Sequence, residues 1–367
     1  MRLALALARR GLGRVAPNPA VGCVIARGGR VLGRGWTQPG GRPHAETEAL
    51  ARAGAAAKGA TAYVTLEPCS HQGKTPPCDR ALIAAGIARC VVALEDPDGR
   101  VAGQGIAHLK AAGVAVETGL CREEAEEVNA GYLLRQREGR PLVALKLAST
   151  LDGRIATAAG ESKWITSPAA RARAHLLRAR HDAVLVGAGT ALADDPHLDV
   201  RLPGLEGLKP LRVVLDGKPS LPPGHDLVAG AGNRPSCLVT ADDLPAERLR
   251  PYRDAGLQVL QVGRDPQGRL DLQAALTALG GLGLTRVLVE GGGVLAAALL
   301  KADLVDRLHW FRASKVIGAE GRPAVADLGP ETLAEAPAFE RCAIEFLGPD
   351  LLESHRRRSR GDLSGQH

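Results

Sequence analysis

His44 and Glu46 stand two positions apart in Pro43-His44-Ala45-Glu46; Pro68-Cys69 follows, and Cys78 comes nine residues after Cys69. One imidazole and two thiolates leave a tetrahedral zinc with an open position, which suits catalysis. A structural zinc would usually have four protein ligands, and His71 is the one near candidate for a fourth. A structural zinc knot and scattered thiols are the plainer alternatives. Pro43 precedes a predicted helix carrying His44 and Glu46, and Pro76-Pro77 precedes Cys78 and a predicted helix over 79–86. Each ligand is therefore expected where a helix begins, where free backbone N–H groups favour a thiolate. Glu46 projects near the metal without being needed as a ligand. It could take a proton from an attacking water and deliver it to a leaving amine.

A second set of residues lies after position 140. Lys146 sits in the middle of an apolar run, where a lone charge needs a partner. Gly187-Ala188-Gly189-Thr190 follows one predicted strand, and Glu290-Gly291-Gly292-Gly293 follows another and opens a helix. Backbone N–H groups at such turns can cradle a phosphate. The third glycine of a Rossmann fingerprint is missing, so that fold is not indicated. Each cluster alone is more often a tight turn; two in one domain favour a dinucleotide.

The elements that must carry these residues read as alternating strands and helices. Apolar, β-branched runs at 21–26, 62–66 and 90–94 read as buried strands, and 45–54 and 79–86 as helices ending at Gly. A polar helix over 123–137 leads to a boundary at 138–141. A second series follows, with strands at 142–148, 183–186, 211–215, 236–239, 258–262 and 286–290 and helices at 168–180 and 292–301. Segments 304–311 and 342–346 are candidates to close that sheet. The expected organisation is α/β throughout: one domain over 1–139, a second over 140–349, and a basic tail without order over 350–367.

Composition narrows the function. The chain has 367 residues, 45% hydrophobic and 24% charged, ordinary for a globular protein. Aromatic residues are 2%, too few for base-stacking platforms, so nucleic acid is not expected as a partner. The net charge of +7 comes mostly from arginine, either a composition bias or a preference for phosphorylated ligands. No apolar run is long enough for a membrane helix, and the opening MRLALALARR lacks a secretory pattern. Seven scattered cysteines read as thiols or metal ligands, not disulfides. A cytoplasmic protein is expected.

His-x-Glu with Pro-Cys-x-x-Cys is the signature of zinc-dependent nucleobase deaminases, and here its second half is longer, from Cys69 to Cys78. The stretch Pro17-Asn18-Pro19-Ala20-Val21-Gly22-Cys23, the His44-Ala-Glu46 motif, and Thr65-Leu66-Glu67-Pro68-Cys69-Ser70-His71-Gln72-Gly73-Lys74-Thr75-Pro76-Pro77-Cys78 go further. They resemble the bifunctional deaminase–reductase family of riboflavin biosynthesis, and the long Cys-to-Cys loop separates it from cytidine and tRNA-adenosine deaminases. Lys146–Arg154, Ser162–Thr166, Asp194–Arg201 and Glu290–Gly292 resemble its pyrimidine reductase module.

The resemblance implies a cytidine-deaminase-like zinc domain followed by a dihydrofolate-reductase-like α/β domain. It implies one Zn2+ per chain on His44, Cys69 and Cys78, with Glu46 catalytic. The first step would remove the ring amine of 2,5-diamino-6-ribosylamino-4(3H)-pyrimidinone 5′-phosphate. The second would use NADPH to reduce the ribosyl group, giving 5-amino-6-(5-phosphoribitylamino)uracil. Asn18, His71 and Lys74 match pyrimidine and phosphate contacts. Ala148, Trp164, Thr190, Asp194, Gly292, Gly293, Val294 and Leu295 match cofactor positions. Lys146, Ser162, Arg178, Leu198, Arg201 and Glu290 match substrate positions, with Arg178 and Arg201 as phosphate clamps. A homo-oligomer is expected. Two residues depart from the family pattern: Asp98, where an amide is usual, and Asp199, which brings a negative charge beside Arg201.

Overall fold

In a computed structural model, residues 1–72, 76–99 and 101–358 are described; Lys74 and residues 359–367 lie outside them. The chain divides into two compact units, Met1–Gly139 and Arg140–His367. Among the described residues no helix is long and apolar enough to cross a membrane.

The first unit runs α1 (Arg2–Ala8), β1 (Gly22–Arg27), β2 (Arg30–Trp36), α2 (Ala45–Ala53), β3 (Thr61–Val64), α3 (Cys78–Ala84), β4 (Arg89–Val92), α4 (Gln104–Ala111), β5 (Ala115–Thr118) and α5 (Arg122–Glu138). Its sheet has the order β2-β1-β3-β4-β5, antiparallel at β2-β1-β3 and parallel from β3 to β5. Ala62 and Val64 of β3 and Cys90 and Val92 of β4, each pair two residues apart, turn one sheet face to the Ala- and Val-rich core. Strand β2 carries no strong strand signal because its glycines do another job. A Cβ on Gly33 would lie 2.1 Å from the Ala49 carbonyl oxygen, and one on Gly35 would lie 2.0 Å from that of Ala45. Glycine lets α2, which carries Glu46, lie directly on the sheet.

The second unit continues with β6 (Leu142–Thr150), β7 (Arg154–Ala156), α6 (Pro168–Ala179), β8 (Ala183–Gly187), α7 (Ala188–Asp194), β9 (Leu211–Leu215), α8 (Asp226–Ala229), β10 (Ser236–Ala241), α9 (Ala246–Asp254), β11 (Gln258–Val262), α10 (Leu272–Gly281), β12 (Arg286–Val289), α11 (Gly293–Lys301), β13 (Arg307–Ala313), β14 (Arg322–Pro323), β15 (Phe339–Leu347) and β16 (Asp350–Arg357). Nine strands order as β11-β10-β9-β8-β12-β6-β13-β16-β15, parallel from β11 to β13 and antiparallel at β13-β16-β15. The continuous apolar runs of the parallel strands follow from helices covering both faces. Segments β7 and β14 form a separate pair.

The expected tail over 350–367 needs correction at its start. Residues 350–357 are strand β16, paired on both sides. Charge suggested a solvated end, but Leu352 is fully buried in the sheet and Glu353 pairs with Arg312 at 2.7 Å.

One buried ion pair ties the start of this sheet together. Arg140, 2% exposed, donates two bonds to Asp306, at 2.7 and 3.0 Å, and the Val143 amide donates to the same carboxylate at 2.9 Å. Asp306→Ala removes the carboxylate that forks onto a buried guanidinium and should cost about 3–5 kcal/mol. Arg140→Met together with Asp306→Ala should recover much of that loss in urea unfolding followed on the second unit. A double variant as unstable as Asp306→Ala would show that the pair's charge is not what matters.

Candidate active sites

In the first unit, His44 is the N-cap residue of α2, and Cys78 opens α3 after Pro77. Cys69 corrects one expectation: it sits in the loop after β3, not at a helix start. Its sulfur accepts from the Cys78 backbone N–H at 3.4 Å. The three ligating atoms lie within 4.8 Å of one another. His44 Nδ1 is 3.6 Å from Cys69 Sγ and 3.3 Å from Cys78 Sγ. Ligand bonds of about 2.1 and 2.3 Å at tetrahedral angles set such donors about 3.6 Å apart, so this trio fits a zinc ion with a fourth direction free. Hydrogen bonding from Cys78, then from His44, holds the Cys69 thiol down at about 4, the state a metal ligand needs.

Glu46 is 3% exposed. Burial, reinforced by the neighbouring Cys69 charge, pushes its carboxyl up to about 7, where a group can both take and give a proton. A cavity of about 320 Å³ opens onto Glu46, His44 and Cys69, and Asn18 and His71 line it too. Asn18 donates one of its two amide N–H groups to the Gly41 carbonyl at 3.0 Å, which leaves the other N–H and the oxygen for a ligand. His71 Nδ1 is buried with no hydrogen-bond partner among the described residues. Lys74 lies outside those residues.

Motif reading missed part of this wall. Asp96 and Asp98 are buried on the cavity. Tyr132 from α5 donates to Asp96 at 3.0 Å, and burial raises the Asp96 carboxyl to about 6. Glu67 accepts the backbone N–H groups of Asp96, Gly103 and Ile106, pinning that segment to the loop of Cys69. Asp98 was noted in the sequence as a departure, but only folding places its charge on the cavity.

In the second unit, the partner that Lys146 needs is Glu290, whose carboxylate lies 3.6 Å from its Nζ. Arg178 meets the same carboxylate in a fork, at 2.6 and 3.0 Å. Burial alone would raise Glu290, but the charges of Arg178 and Lys146 outweigh it and hold the carboxyl at about 2. The remaining end of Arg178 donates to the Asp199 carbonyl at 2.9 Å. Arg178 thus commits three of its five N–H groups to Glu290 and the Asp199 carbonyl. Asp199 Oδ1 lies 3.2 Å from Arg201 Nε and 3.9 Å from Arg178 NH1, so the departure from the family pattern faces both arginines. Leu198 is buried and adopts a left-handed φ of 50°.

The two glycine turns meet. The Gly292 amide donates to Thr190 Oγ1 at 2.8 Å, where α11 begins, and a Cβ on Gly292 would stand 3.0 Å from that oxygen. Val294 is exposed, and Leu295 packs on the core. Ala148 is half-buried on β6. Trp164 is 66% exposed, which excludes core packing, and Arg171 stacks on its ring at 4.4 Å. Ser162 and Asp194 are exposed; among the described residues no hydrogen bond ties either to the Glu290 cluster.

Glu46→Gln keeps size and hydrogen bonding but removes the transferable proton. Ammonia release should fall by about 10²–10⁴-fold while zinc content holds at one per chain. Near-normal ammonia release would remove Glu46 from the chemistry.

Comparison with known proteins matches a family model to each unit. Residues 1–94 match the family model of the cytidine and deoxycytidylate deaminase zinc-binding region, and residues 141–352 match that of the RibD C-terminal domain. The chain is 44% identical to the riboflavin biosynthesis protein RibD of Escherichia coli K12 over 362 residues, 96% of each. It is 41% identical to that of Aquifex aeolicus, covering 97% of each. Among solved structures, Acinetobacter baumannii RibD superposes with a TM-score of 0.87 at 37% identity, covering 98% of each chain. A diaminohydroxyphosphoribosylaminopyrimidine deaminase/5-amino-6-(5-phosphoribosylamino)uracil reductase from Thermotoga maritima gives 0.83 at 34%, covering 98% and 97%. A cytidine-deaminase-type zinc-binding domain thus precedes a RibD C-terminal α/β domain, and the chain belongs to the RibD family of bifunctional pyrimidine deaminase–reductases of riboflavin biosynthesis.

Proposed function

We propose that this chain deaminates 2,5-diamino-6-ribosylamino-4(3H)-pyrimidinone 5′-phosphate and then reduces its ribosyl group with NADPH. The observation that carries the first step is a zinc-fitting His44–Cys69–Cys78 trio beside a buried carboxyl poised near neutral pH. The metal, when bound, supplies a water of lowered pKa as nucleophile. Glu46 takes a proton as the water oxygen bonds to the ring carbon that bears the amine. It returns a proton to the departing nitrogen, so ammonia leaves and a carbonyl remains. Asn18, His71 and Lys74 hold the pyrimidine and its phosphate, and the acids Asp96 and Asp98 present acceptors to ring amines.

The second step belongs to the cluster around Glu290. NADPH supplies the hydride. Thr190, Asp194 and the 292–295 turn, with Ala148 and Trp164, fit a cofactor whose phosphates take backbone N–H groups at the start of α11. C1′ of the sugar gains the hydride, its bond to the ring oxygen breaks, and that oxygen takes a proton. Lys146, held by Glu290, is the proton-bearing group of this cluster. Ser162 and Leu198 border the sugar. Arg201, 63% exposed at its side chain, faces the 5′-phosphate. The reading extends to a cytoplasmic homo-oligomer, which light scattering on the purified protein tests for assembly.

The motifs for each step lie wholly within one unit. Chelating the zinc should therefore abolish ammonia release from the diamino substrate and leave NADPH oxidation by the deaminated compound within about twofold of the untreated protein. Loss of the reduction in a chelated but folded protein would overturn the assignment of the two steps to separate units.

A further inference from the structure

Arg201 stands in an irregular segment that nothing in its own sequence makes rigid. Leu198 takes a left-handed φ that a residue with a Cβ disfavours, so the backbone over 198–201 must be held from outside. Two side chains of α6, one turn apart, reach it. Arg178 donates to the Asp199 carbonyl at 2.9 Å. His175 Nδ1 lies 3.2 Å from that carbonyl and 3.3 Å from the Arg201 backbone nitrogen. Either neutral tautomer ties the ring to this segment: Nδ1 accepts from the Arg201 amide, or Nδ1–H donates to the Asp199 carbonyl. The Arg201 side chain is then braced along its inner edge, with Asp199 Oδ1 3.2 Å from Nε. Among the described residues its two terminal nitrogens have no recorded partner. That is the end of a guanidinium that grips a phosphate in a fork.

We propose that His175 is a positioning residue for the reductase half: by holding the backbone of Asp199 and Arg201, it aims Arg201 at the 5′-phosphate of the substrate. This rests on the reading of Arg201 as the phosphate contact. Burial and the charges of Arg178 and Arg201 lower its pKa, so the ring stays neutral near neutral pH and adds no charge of its own.

The test is steady-state kinetics of the zinc-loaded full-length protein on the deaminated ribosylamino compound, with and without its 5′-phosphate. His175→Leu should raise KM for the phosphorylated compound about tenfold, with kcat and the KM for NADPH within about twofold, and should not change kcat/KM for the dephosphorylated compound. His175→Asn, which carries an acceptor and a donor where Nδ1 stands, should restore the KM. Arg201→Ala should raise the same KM, and adding His175→Leu to it should cost nothing further. Unchanged KM in His175→Leu, no rescue by Asn, or additive losses in the double variant would each overturn the positioning role. If Arg201→Ala itself leaves the preference for the phosphorylated compound intact, the phosphate reading of Arg201 fails, and the proposal with it.

Discussion

Burying a carboxylate is costly unless a cation or a set of donors is brought to it. Both halves of this chain are arranged around that constraint. In the second unit, Glu290 sits at the mouth of the sheet with Arg178 and Lys146 on either side, and the three fix one another. The strand order brings this about: β12, which ends at Glu290, lies beside β6, which carries Lys146. The helix that carries Arg178 then has one place to dock. In the first unit, no arginine or lysine among the described residues forks onto Glu46, and burial with the Cys69 charge raises its carboxyl to about 7. The same physics holds one carboxyl at about 2 and lifts the other to about 7, the range a proton carrier needs.

How much of this was legible in the sequence follows from where each signal resides. The parallel strands of the second unit stood out because burial on both faces demands unbroken β-branched runs. The zinc trio and Glu46 were legible because their spacing is local and their residue types have few other uses together. Strand β2 was not, because Gly33 and Gly35 serve the approach of α2 and read as turn residues. Strand β16 was not, because its arginines hide the alternation that buries Leu352. The missing halves of both sites share one cause. Tyr132 with Asp96, and His175 with Asp199 and Arg201, pair residues far apart in the chain, and no local pattern marks such pairs.

The glycine turns show how a local signal can be divided between two strand ends. Two glycine clusters after strands suggest a dinucleotide, yet neither has Rossmann spacing. Here the turns complete each other, with Thr190 of one holding the Gly292 amide of the other. The cofactor reading therefore rests on two adjacent strand ends, β8 and β12, rather than on one fingerprint loop.

The central claim is that one chain performs two consecutive reactions on one molecule, and a single time course tests it. Zinc-loaded full-length protein is given the diamino ribosylamino phosphate with excess NADPH, and ammonia and NADPH are followed together. The account predicts one NADPH oxidised per ammonia released, with oxidation lagging behind release, and ammonia alone when NADPH is omitted. NADPH oxidation that precedes or exceeds ammonia release, or ammonia release that never leads to oxidation, would contradict it.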